Sequence, residues 1–466
     1  MSERIETYNC RVGQKNAGYY LANTPEDLHL FIEKAHQAHC SGALQSIEVR
    51  LQLLNLILTK MENNKEKLCS IYTDESSLSL IRFEQEFERT KLQIKSYGEA
   101  ACNLANLTIR NTLTDRIIEK ISSPIGPIAV FGASNFPLAY STLGGDVMGA
   151  LASGCPVIVK GHSLHAGTST LCANLIIESI DELSLHPGIF SHVLDSGFTL
   201  AHQLVKDARI KGCAFTGSYS GGMALLSKIQ ERTEPIPYFA EMGSLNPLII
   251  LNSFSEIESI VTKIVDSITN DAGQFCTKPG LIFYPREKHI EIYNAAIEAF
   301  KKSKGHPMLH PSIQKRYLGR LDAIEKHSRI CDFKITDENF AIPRGFLSIT
   351  TKSFLNHSAF HEEIFGPFCV LISYTKISEV EECLSCIPGQ LTGTIFGNNP
   401  QNSKIFNTLL LQCGRIILNG VPTGVAPVEA MHHGGPFPAT TDSRFSAVGE
   451  ASINRFIRYV SIQNSH

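Results

Sequence analysis

The sequence lacks several features that would place the protein in other functional classes. It has no tryptophan, and its 42 Lys and Arg residues stand against 45 Asp and Glu, so there is no basic excess. The longest apolar stretches, such as 155–159 and 247–251, are far shorter than the roughly 20 residues of a membrane helix. A nucleic-acid partner requires basic groups to neutralise phosphates, so nucleic acid is not an expected partner. Because the apolar stretches are short, a membrane is not expected either.

The cysteines do not form a zinc-binding pattern. There are 13 of them, an odd number, and the single C-x-x-C (Cys383 to Cys386) has no second Cys or His pair at zinc-site spacing. The first eleven residues lack the apolar core of a signal peptide. We therefore expect reduced thiols, a cytoplasmic location and no metal.

Length and hydrophobic patterning predict an α/β protein with more than one structural unit. A chain of 466 residues exceeds what one hydrophobic core usually serves. The first ~100 residues have helical spacing, and Thr24-Pro25-Glu26 is a typical helix start. From about residue 125, short apolar strands alternate with helices at roughly 137–153, 167–180, 198–207 and 221–231, and a second series runs from about 247 to 419. This alternation favours parallel, doubly wound sheets.

Two segments carry candidate catalytic groups. Cys276, in GQFCT at 273–277, precedes Pro279-Gly280 and is expected on a loop. There a thiol can act as a nucleophile if its pKa is lowered or a base is near; a buried structural cysteine is the alternative. Glu241 closes a short apolar stretch, where partial burial would suit a general base. A surface ion pair is the alternative for Glu241.

Two turns between strand and helix carry candidate ligand-binding groups. Asn135 follows the apolar stretch 128–131 and has two interpretations, a donor to a developing oxyanion or a cap of the next helix. The glycine-rich turn at 217–222 precedes a helix whose free N–H groups suit a phosphate. No GxGxxG fingerprint is present there, so a plain strand–helix turn remains the alternative.

These segments, in this order, resemble the aldehyde dehydrogenase superfamily. The resemblance includes VIVK at 157–160, EEIFGP at 362–367 and LNG at 418–420, and it extends from about residue 20 to the end of the chain. GASNFPLAYSTLGGD, AEMGSLNP, GQFCTKPG and MHHGGPFPATTDSR are similar to the 2,5-dioxovalerate (α-ketoglutarate semialdehyde) dehydrogenase branch. Two departures concern the substrate range. Ala133-Ser134-Asn135 stands where most members have Pro-Trp-Asn, and the loop HHGGP at 432–436 differs from the usual form.

The resemblance implies oxidation of an aldehyde to a carboxylate through a cysteine thioester. Cys276 would attack the aldehyde carbon, while the Asn135 amide and the Cys276 backbone N–H would hold the oxyanion. Glu241 would activate the water that hydrolyses the thioester. The implied substrate is 2,5-dioxopentanoate, giving 2-oxoglutarate, with succinate semialdehyde or general aliphatic aldehydes as alternatives.

The substrate carboxylate requires a cation at the mouth of the pocket, and Arg89 is the candidate. Phe136 and Tyr140 would line the tunnel. The alternative for Arg89 is an ion pair with Glu86 one turn back on the same helix.

The resemblance also implies NADP or NAD as cofactor. The residues implied to bind it are Lys160, His162, Ser163, Gly217, Ser218, Gly221, Glu363 and Phe365. Ser163 stands where NAD-preferring relatives often have a glutamate. Because a neutral side chain does not repel a 2′-phosphate, NADP is favoured.

The implied fold has a Rossmann-type cofactor domain (1–104 and 125–242), an α/β catalytic domain (243–430) and a small oligomerisation β-hairpin (105–124 with 450–466). A homodimer or homotetramer follows from the resemblance. A serine hydrolase is disfavoured because Tyr219 occupies the centre of the nearest G-x-S-x-G candidate. A cofactor-independent cysteine hydrolase and an inactive structural relative remain as alternatives from other classes.

Overall fold

The computed structural model describes residues 3–106, 109–113, 115–333 and 342–465. Parts of all three predicted domains lie outside the described residues: 1–2, 107, 108, 114, 334–341 and 466.

Four short strands precede the first helix, helices then extend to Asn106, and strands alternate with helices afterwards. The α-helices are α1 (Pro25–Cys40), α2 (Ile47–Asn63), α3 (Lys65–Ser76), α4 (Leu80–Asn106), α5 (Gly145–Ala152), α6 (Ala166–Glu182), α7 (Thr199–Lys206), α8 (Tyr219–Gln230), α9 (Ile257–Thr269), α10 (His289–Lys302), α11 (Pro311–Glu325), α12 (Thr351–Asn356), α13 (Ile377–Ser385) and α14 (Lys404–Gln412). The strands are β1 (Arg4–Ile5), β2 (Tyr8–Asn9), β3 (Gln14–Lys15), β4 (Tyr20–Leu21), β5 (Ile109–Thr112), β6 (Arg116–Pro124), β7 (Ile128–Phe131), β8 (Val157–Lys160), β9 (Phe190–Val193), β10 (Gly212–Thr216), β11 (Tyr238–Glu241), β12 (Pro247–Ile250), β13 (Leu281–Pro285), β14 (Ile330–Phe333), β15 (Arg344–Thr350), β16 (Phe368–Tyr374), β17 (Gln390–Phe396), β18 (Cys413–Leu418) and β19 (Ile457–Ser465).

The first large sheet has the strand order β11-β10-β7-β8-β9, with every pairing parallel. Its strands are short apolar runs buried on both faces, as expected when helices cover a parallel sheet. The carboxyl ends of parallel strands meet at one edge, where open α/β sheets bind ligands. At this edge lie Lys160, Glu241 and the turns that follow β7 and β10.

The second large sheet has the order β14-β15-β16-β13-β12-β17-β18, and β14 alone among its strands is antiparallel to its neighbour. The chain passes from β11 directly into β12. Cys276 and Glu363 precede β13 and β16, and therefore lie near the amino ends of this sheet. The predicted α/β class with parallel sheets is confirmed.

A third, antiparallel sheet has the order β19-β6-β5, with β6 in the centre. It combines two strands of the 105–124 segment with β19, which ends at Ser465. β5 is exposed along its whole length.

The predicted start of the first helix is confirmed. Thr24 caps α1, and its hydroxyl accepts a hydrogen bond from the Asp27 backbone N–H, while the Asp27 carboxylate accepts one from the Thr24 N–H. Pro25 occupies the first helical position.

The predicted helix at 137–153 was too long at its start. Only α5 is helical, and residues 137–144 form turns. The reason is tertiary, because the Leu138 and Ala139 N–H groups donate to the buried Glu86 carboxylate of α4 at 2.8 and 2.9 Å. This contact replaces the first turn of a helix.

Within the part of the chain that the structure describes, no helix is long and apolar enough to cross a membrane.

Candidate active site

The nucleophile loop, residues 270–277, has a left-handed backbone before the cysteine. Asp271, Ala272 and Gly273 have φ of 44°, 55° and 65°, a conformation that costs energy for residues other than glycine. At Gly273 a Cβ atom would lie 2.4 Å from the carbonyl oxygen of Gly366. Glycine is therefore required at position 273, which explains the glycine at the start of the GQFCT motif.

Arg82, a residue of α4 that sequence analysis missed, connects this loop to the turn of Asn135. Its buried guanidinium donates to the Asp271 carboxylate at 2.8 Å and to the Asn135 carbonyl oxygen at 3.2 Å. The same group lies over the rings of Phe136 and Phe275, at 4.2 and 4.5 Å from their centroids. Arg82 thus sets the distance between the nucleophile loop and the candidate oxyanion donor.

Cys276, Glu241 and His433 form one cluster. The Cys276 Sγ atom lies 3.6 Å from His433 Nε2, and His433 Nε2 lies 2.8 Å from Glu241 Oε1. His433 and Glu241 are buried, with 1% and 4% of their surfaces exposed, whereas Cys276 is half-buried. The Ser446 hydroxyl accepts a hydrogen bond from the His433 backbone N–H at 3.0 Å. The HHGGP loop was identified from the sequence as unusual, but His433 was not predicted to have a role.

The cluster determines the protonation state of the thiol. Burial raises the pKa of Cys276 well above its ordinary value, and the negative charge and hydrogen bond of Glu241 raise it further. At neutral pH the cysteine is therefore a thiol that needs a base, and both candidate bases are adjacent. Ligand-type atoms of the three side chains lie within 4.8 Å of one another, close enough for a metal ion, but the thiol chemistry requires none.

Asn135 lies in the turn after β7, beside the nucleophile loop. Its Nδ2 atom donates to the Gln274 carbonyl oxygen at 2.9 Å. An amide nitrogen carries two hydrogens, so one N–H remains for an oxyanion formed at Cys276. The cap alternative is disfavoured, because no helix begins directly after Asn135.

The three predicted tunnel residues lie together. Tyr140 packs edge-on against Phe136 at 5.0 Å between centroids, and its ring is 6.1 Å from that of His433. Arg89 Nη2 donates to the Tyr140 hydroxyl at 2.8 Å, and Arg89 Nε donates to the Val425 carbonyl oxygen at 3.1 Å.

The alternative ion pair between Arg89 and Glu86 is wrong. Glu86 instead accepts from the Tyr72 hydroxyl and from two backbone N–H groups of the 137–144 turns. Its ion-pair partner is Arg82, at 3.7 Å.

The predicted phosphate-binding turn follows β10. Ser218 caps α8, its hydroxyl accepting from the Gly221 N–H at 3.3 Å, and the Gly217 N–H donates to the Glu241 carbonyl oxygen at 3.0 Å. Residues 218–220 are exposed, and the first turn of α8 contains no acidic side chain. The positive end of the helix dipole is therefore open to an anionic group.

Lys160 ends β8 at the same edge of the sheet. Burial lowers its pKa, whereas the nearby Asp195 raises it. Asp195, which sequence analysis missed, accepts from the Gly197 and Leu200 N–H groups. Ser163 is half-buried at the first position of a short 3₁₀ turn.

His162 has a structural contact that was not predicted. Its Nδ1 atom accepts from the Leu164 N–H at 3.2 Å, and burial lowers its pKa well below the ordinary value. The ring is therefore neutral at physiological pH and supplies no positive charge to a phosphate.

Glu363 is half-buried between the two sheets and faces Gly243. A Cβ atom at Gly243 would lie 2.1 Å from Glu363 Oε2, so a side chain there would displace this carboxylate. Burial raises the pKa of Glu363 to about 7, and the nearby Lys278 ammonium opposes this. Lys278 donates to the Ile364 and Phe368 carbonyl oxygens at 2.9 and 2.7 Å, and so fixes the segment on both sides of the half-buried Phe365.

A nicotinamide dinucleotide fits these residues. The open amino end of α8 would hold the pyrophosphate, Lys160 would reach a ribose, and Glu363 would accept from hydroxyls of the second ribose. The absence of a side chain at Gly243 leaves the space that the Glu363 carboxylate occupies.

Comparison with known proteins agrees with this geometry. The model of the aldehyde dehydrogenase family matches residues 1–459. The alpha-ketoglutaric semialdehyde dehydrogenase of Acinetobacter baylyi is 34% identical over 480 residues, covering 99% of this chain and 91% of that protein. Alpha-ketoglutaric semialdehyde dehydrogenase 2 of Azospirillum brasilense is 32% identical, covering 94% of this chain and 87% of that one.

Solved structures agree on the fold. A mutant of Thermus thermophilus 1-pyrroline-5-carboxylate dehydrogenase superposes with a TM-score of 0.88 at 17% identity, covering 100% of this chain and 91% of that chain. The Thermus enzyme with bound NAD gives a TM-score of 0.87 at 17% identity, with the same coverage. The chain belongs to the aldehyde dehydrogenase family, whose members oxidise aldehydes with NAD(P).

Proposed function

We propose that the protein oxidises 2,5-dioxopentanoate (α-ketoglutaric semialdehyde) to 2-oxoglutarate. The names of the Acinetobacter and Azospirillum relatives support this substrate. The observation that carries the chemistry is the cluster in which His433 Nε2 lies 3.6 Å from the Cys276 Sγ atom and 2.8 Å from Glu241 Oε1.

Acylation begins with removal of the thiol proton. The Glu241 carboxylate accepts it and passes it to solvent, because Glu241 is hydrogen-bonded to the thiol and the thiol does not ionise unaided. His433 Nε2 donates to Glu241 Oε1 at 2.8 Å and holds the carboxylate in place. The thiolate attacks the aldehyde carbon, and the remaining Asn135 N–H donates to the oxyanion. When bound, the nicotinamide cofactor supplies the acceptor for the hydride, and a thioester on Cys276 remains.

Deacylation requires a water molecule beside the thioester. Glu241 and His433 line a cavity of about 20 Å³, enough for one water molecule, together with Phe215, Thr216, Phe239, Ala240, Thr440, Asp442, Phe445, Ala447 and Arg455. Water reaching Glu241 from this side transfers a proton to the carboxylate as it attacks. The products are the carboxylic acid and the free thiol.

The cofactor preference follows from Ser163, which is neutral and does not repel a 2′-phosphate, so we propose NADP. Ser163→Glu should shift the ratio of kcat/KM for NADP and NAD toward NAD, because a carboxylate repels the phosphate and accepts from ribose hydroxyls. Ser196→Glu, a change on the loop that follows Asp195, is the charge-matched control. An unchanged ratio in Ser163→Glu would place discrimination elsewhere.

We also propose a cytoplasmic homo-oligomer, a dimer or tetramer. All 13 cysteines are free, which suits a reducing compartment. The antiparallel sheet of β5, β6 and β19 presents exposed apolar side chains, including Ile109, Tyr459 and Ile462, which suits an interface between subunits. The three predicted domain ranges remain part of this proposal.

The function is tested by following reduction of NADP and NAD over a panel of aldehydes. The panel contains 2,5-dioxopentanoate, succinate semialdehyde, butanal and benzaldehyde. We expect the highest kcat/KM for 2,5-dioxopentanoate and no oxidation by Cys276→Ala, which should still fold and bind cofactor. Higher kcat/KM for uncharged aldehydes would reject the substrate, and substantial oxidation by Cys276→Ala would reject the nucleophile.

A further inference from the structure

Two arginines from distant parts of the chain hold the same loop near the tunnel. Arg415, on β18, donates through Nη1 to the Gly424 carbonyl oxygen at 2.9 Å and through Nη2 to the Pro422 carbonyl oxygen. Arg89, on α4, donates to the next carbonyl oxygen of this loop, that of Val425. The two guanidinium groups therefore approach one short segment, residues 422–425, from two sides.

Neither arginine has an acidic partner. Among the described residues, no carboxylate lies within ion-pair distance of Arg89 or Arg415. Each guanidinium also keeps one buried nitrogen without a hydrogen bond, Nη1 in Arg89 and Nε in Arg415. Buried charges and buried donors are normally compensated, so two uncompensated cations on one loop indicate an anionic ligand.

Both arginines lie on the tunnel side of the catalytic cluster. Arg89 contacts Tyr140 through its hydroxyl, and the guanidinium carbon lies 4.6 Å from the Tyr140 ring centroid. Tyr140 in turn lies beside His433. Burial lowers the pKa of Arg415, and the nearby Cys276 thiol and Tyr140 hydroxyl oppose this, so the guanidinium lies within electrostatic reach of the nucleophile.

We propose that Arg415 and Arg89 together bind the distal carboxylate of the substrate, so that Arg415 is a specificity-determining residue of this enzyme. The inference rests on the proposed function and deepens it. The two nitrogens without partners would donate to the carboxylate oxygens, an interaction that planar guanidinium groups make well. The contacts with residues 422–425 and Tyr140 hold both groups in place before substrate arrives.

The test compares Arg415→Gln and Arg89→Gln with Arg286→Gln, a matched loss of charge at an exposed site between β13 and α10. Each variant is assayed with 2,5-dioxopentanoate, succinate semialdehyde and butanal. Because hydrogen bonds to charged groups contribute about 1.5–3 kcal/mol, KM for the two carboxylated aldehydes should rise roughly 10- to 100-fold in both site variants. In the two site variants, KM for butanal and kcat should change little. In Arg286→Gln, KM for all three aldehydes should stay close to that of the wild type.

A second measurement separates anion binding from support of the loop. Glutarate, which cannot be oxidised, should raise the Tm of the wild type and of Arg286→Gln, and should not raise that of Arg415→Gln. Two results would overturn the proposal. One is an equal rise in KM for butanal and for the carboxylated substrates, and the other is an increase in the Tm of Arg415→Gln with glutarate. The two proposals can be rejected separately. If the wild type oxidised no carboxylated aldehyde but glutarate binding still depended on both arginines, the proposed substrate would be rejected and the anion site would be supported.

Discussion

Glu241 and His433 both lie beside the Cys276 thiol, and their effects on it are opposite. The Glu241 charge raises the pKa of Cys276, whereas His433 donates to the Glu241 carboxylate at 2.8 Å and so offsets part of that charge. Replacing Glu241 or His433 by glutamine should therefore change the rate of Cys276 alkylation in opposite directions.

Glu241→Gln should shift the pH profile of Cys276 alkylation by iodoacetamide to lower pH, because a negative neighbour is removed. Its steady turnover should fall roughly 10²- to 10⁴-fold. A burst of reduced cofactor should persist, because the lower pKa lets the thiol ionise without the carboxylate, whereas deacylation has lost its base. Alkylation is followed by mass spectrometry of the Cys276 peptide.

His433→Gln should slow alkylation of Cys276 at neutral pH and should diminish the burst itself, because the Glu241 carboxylate loses the donor that offsets its charge and then raises the pKa of Cys276 further. His432→Gln is the control, since the adjacent ring has no contact with Sγ among the described hydrogen bonds. A burst lost in Glu241→Gln and kept in His433→Gln would reverse the two roles.

At the scale of elements, the nucleophile loop is positioned by a helix more than 180 residues earlier in the chain. The ion pair between Arg82 and Asp271 joins α4 to the left-handed turn, and each partner has only 5% of its side chain exposed. Breaking a buried pair of this kind leaves one charge uncompensated, which typically costs about 3–5 kcal/mol.

Arg82→Met should therefore lower the free energy of unfolding by about that amount and should reduce kcat/KM for butanal as well as for carboxylated aldehydes. Lys206→Met removes an exposed ion pair with Glu231 and should change neither the free energy of unfolding nor kcat/KM. Chemical denaturation and steady-state kinetics measure the two effects. Wild-type kinetics in an Arg82→Met protein that remains folded would show that the loop positions itself.

At the scale of the whole molecule, the sheet of β5, β6 and β19 leaves its outer strand β19 with exposed apolar side chains. Ile462→Asp should weaken subunit association and shift the mass measured by light scattering toward the monomer. Ile290→Asp places the same charge at an apolar side chain of α10 that is 75% exposed and should leave the mass unchanged. An unchanged mass in Ile462→Asp would exclude this strand as a principal contact.

Patterns that depend on neighbours in the chain could be predicted from the sequence alone. Alternating apolar strands and helices predicted the parallel sheets, because burial on both faces requires continuous apolar runs. Glycines at 217, 243 and 273, together with Cys276 and Glu241, identified the family through local motifs. Arg89 lies beside Tyr140, and its role as a carboxylate anchor stays a prediction.

Contacts between distant segments required the tertiary structure. Glu86 accepts from the 137–144 turns, which replaces part of a predicted helix, and His162 caps a turn and remains neutral. His433, Arg82 and Arg415 were not assigned roles, because no spacing relates them to Cys276. The sequence by itself determined the fold class and the family, since these depend on local pattern and residue type. The tertiary structure alone decided which base meets the thiol and which cations remain unpaired, since burial and distance depend on how separate elements pack.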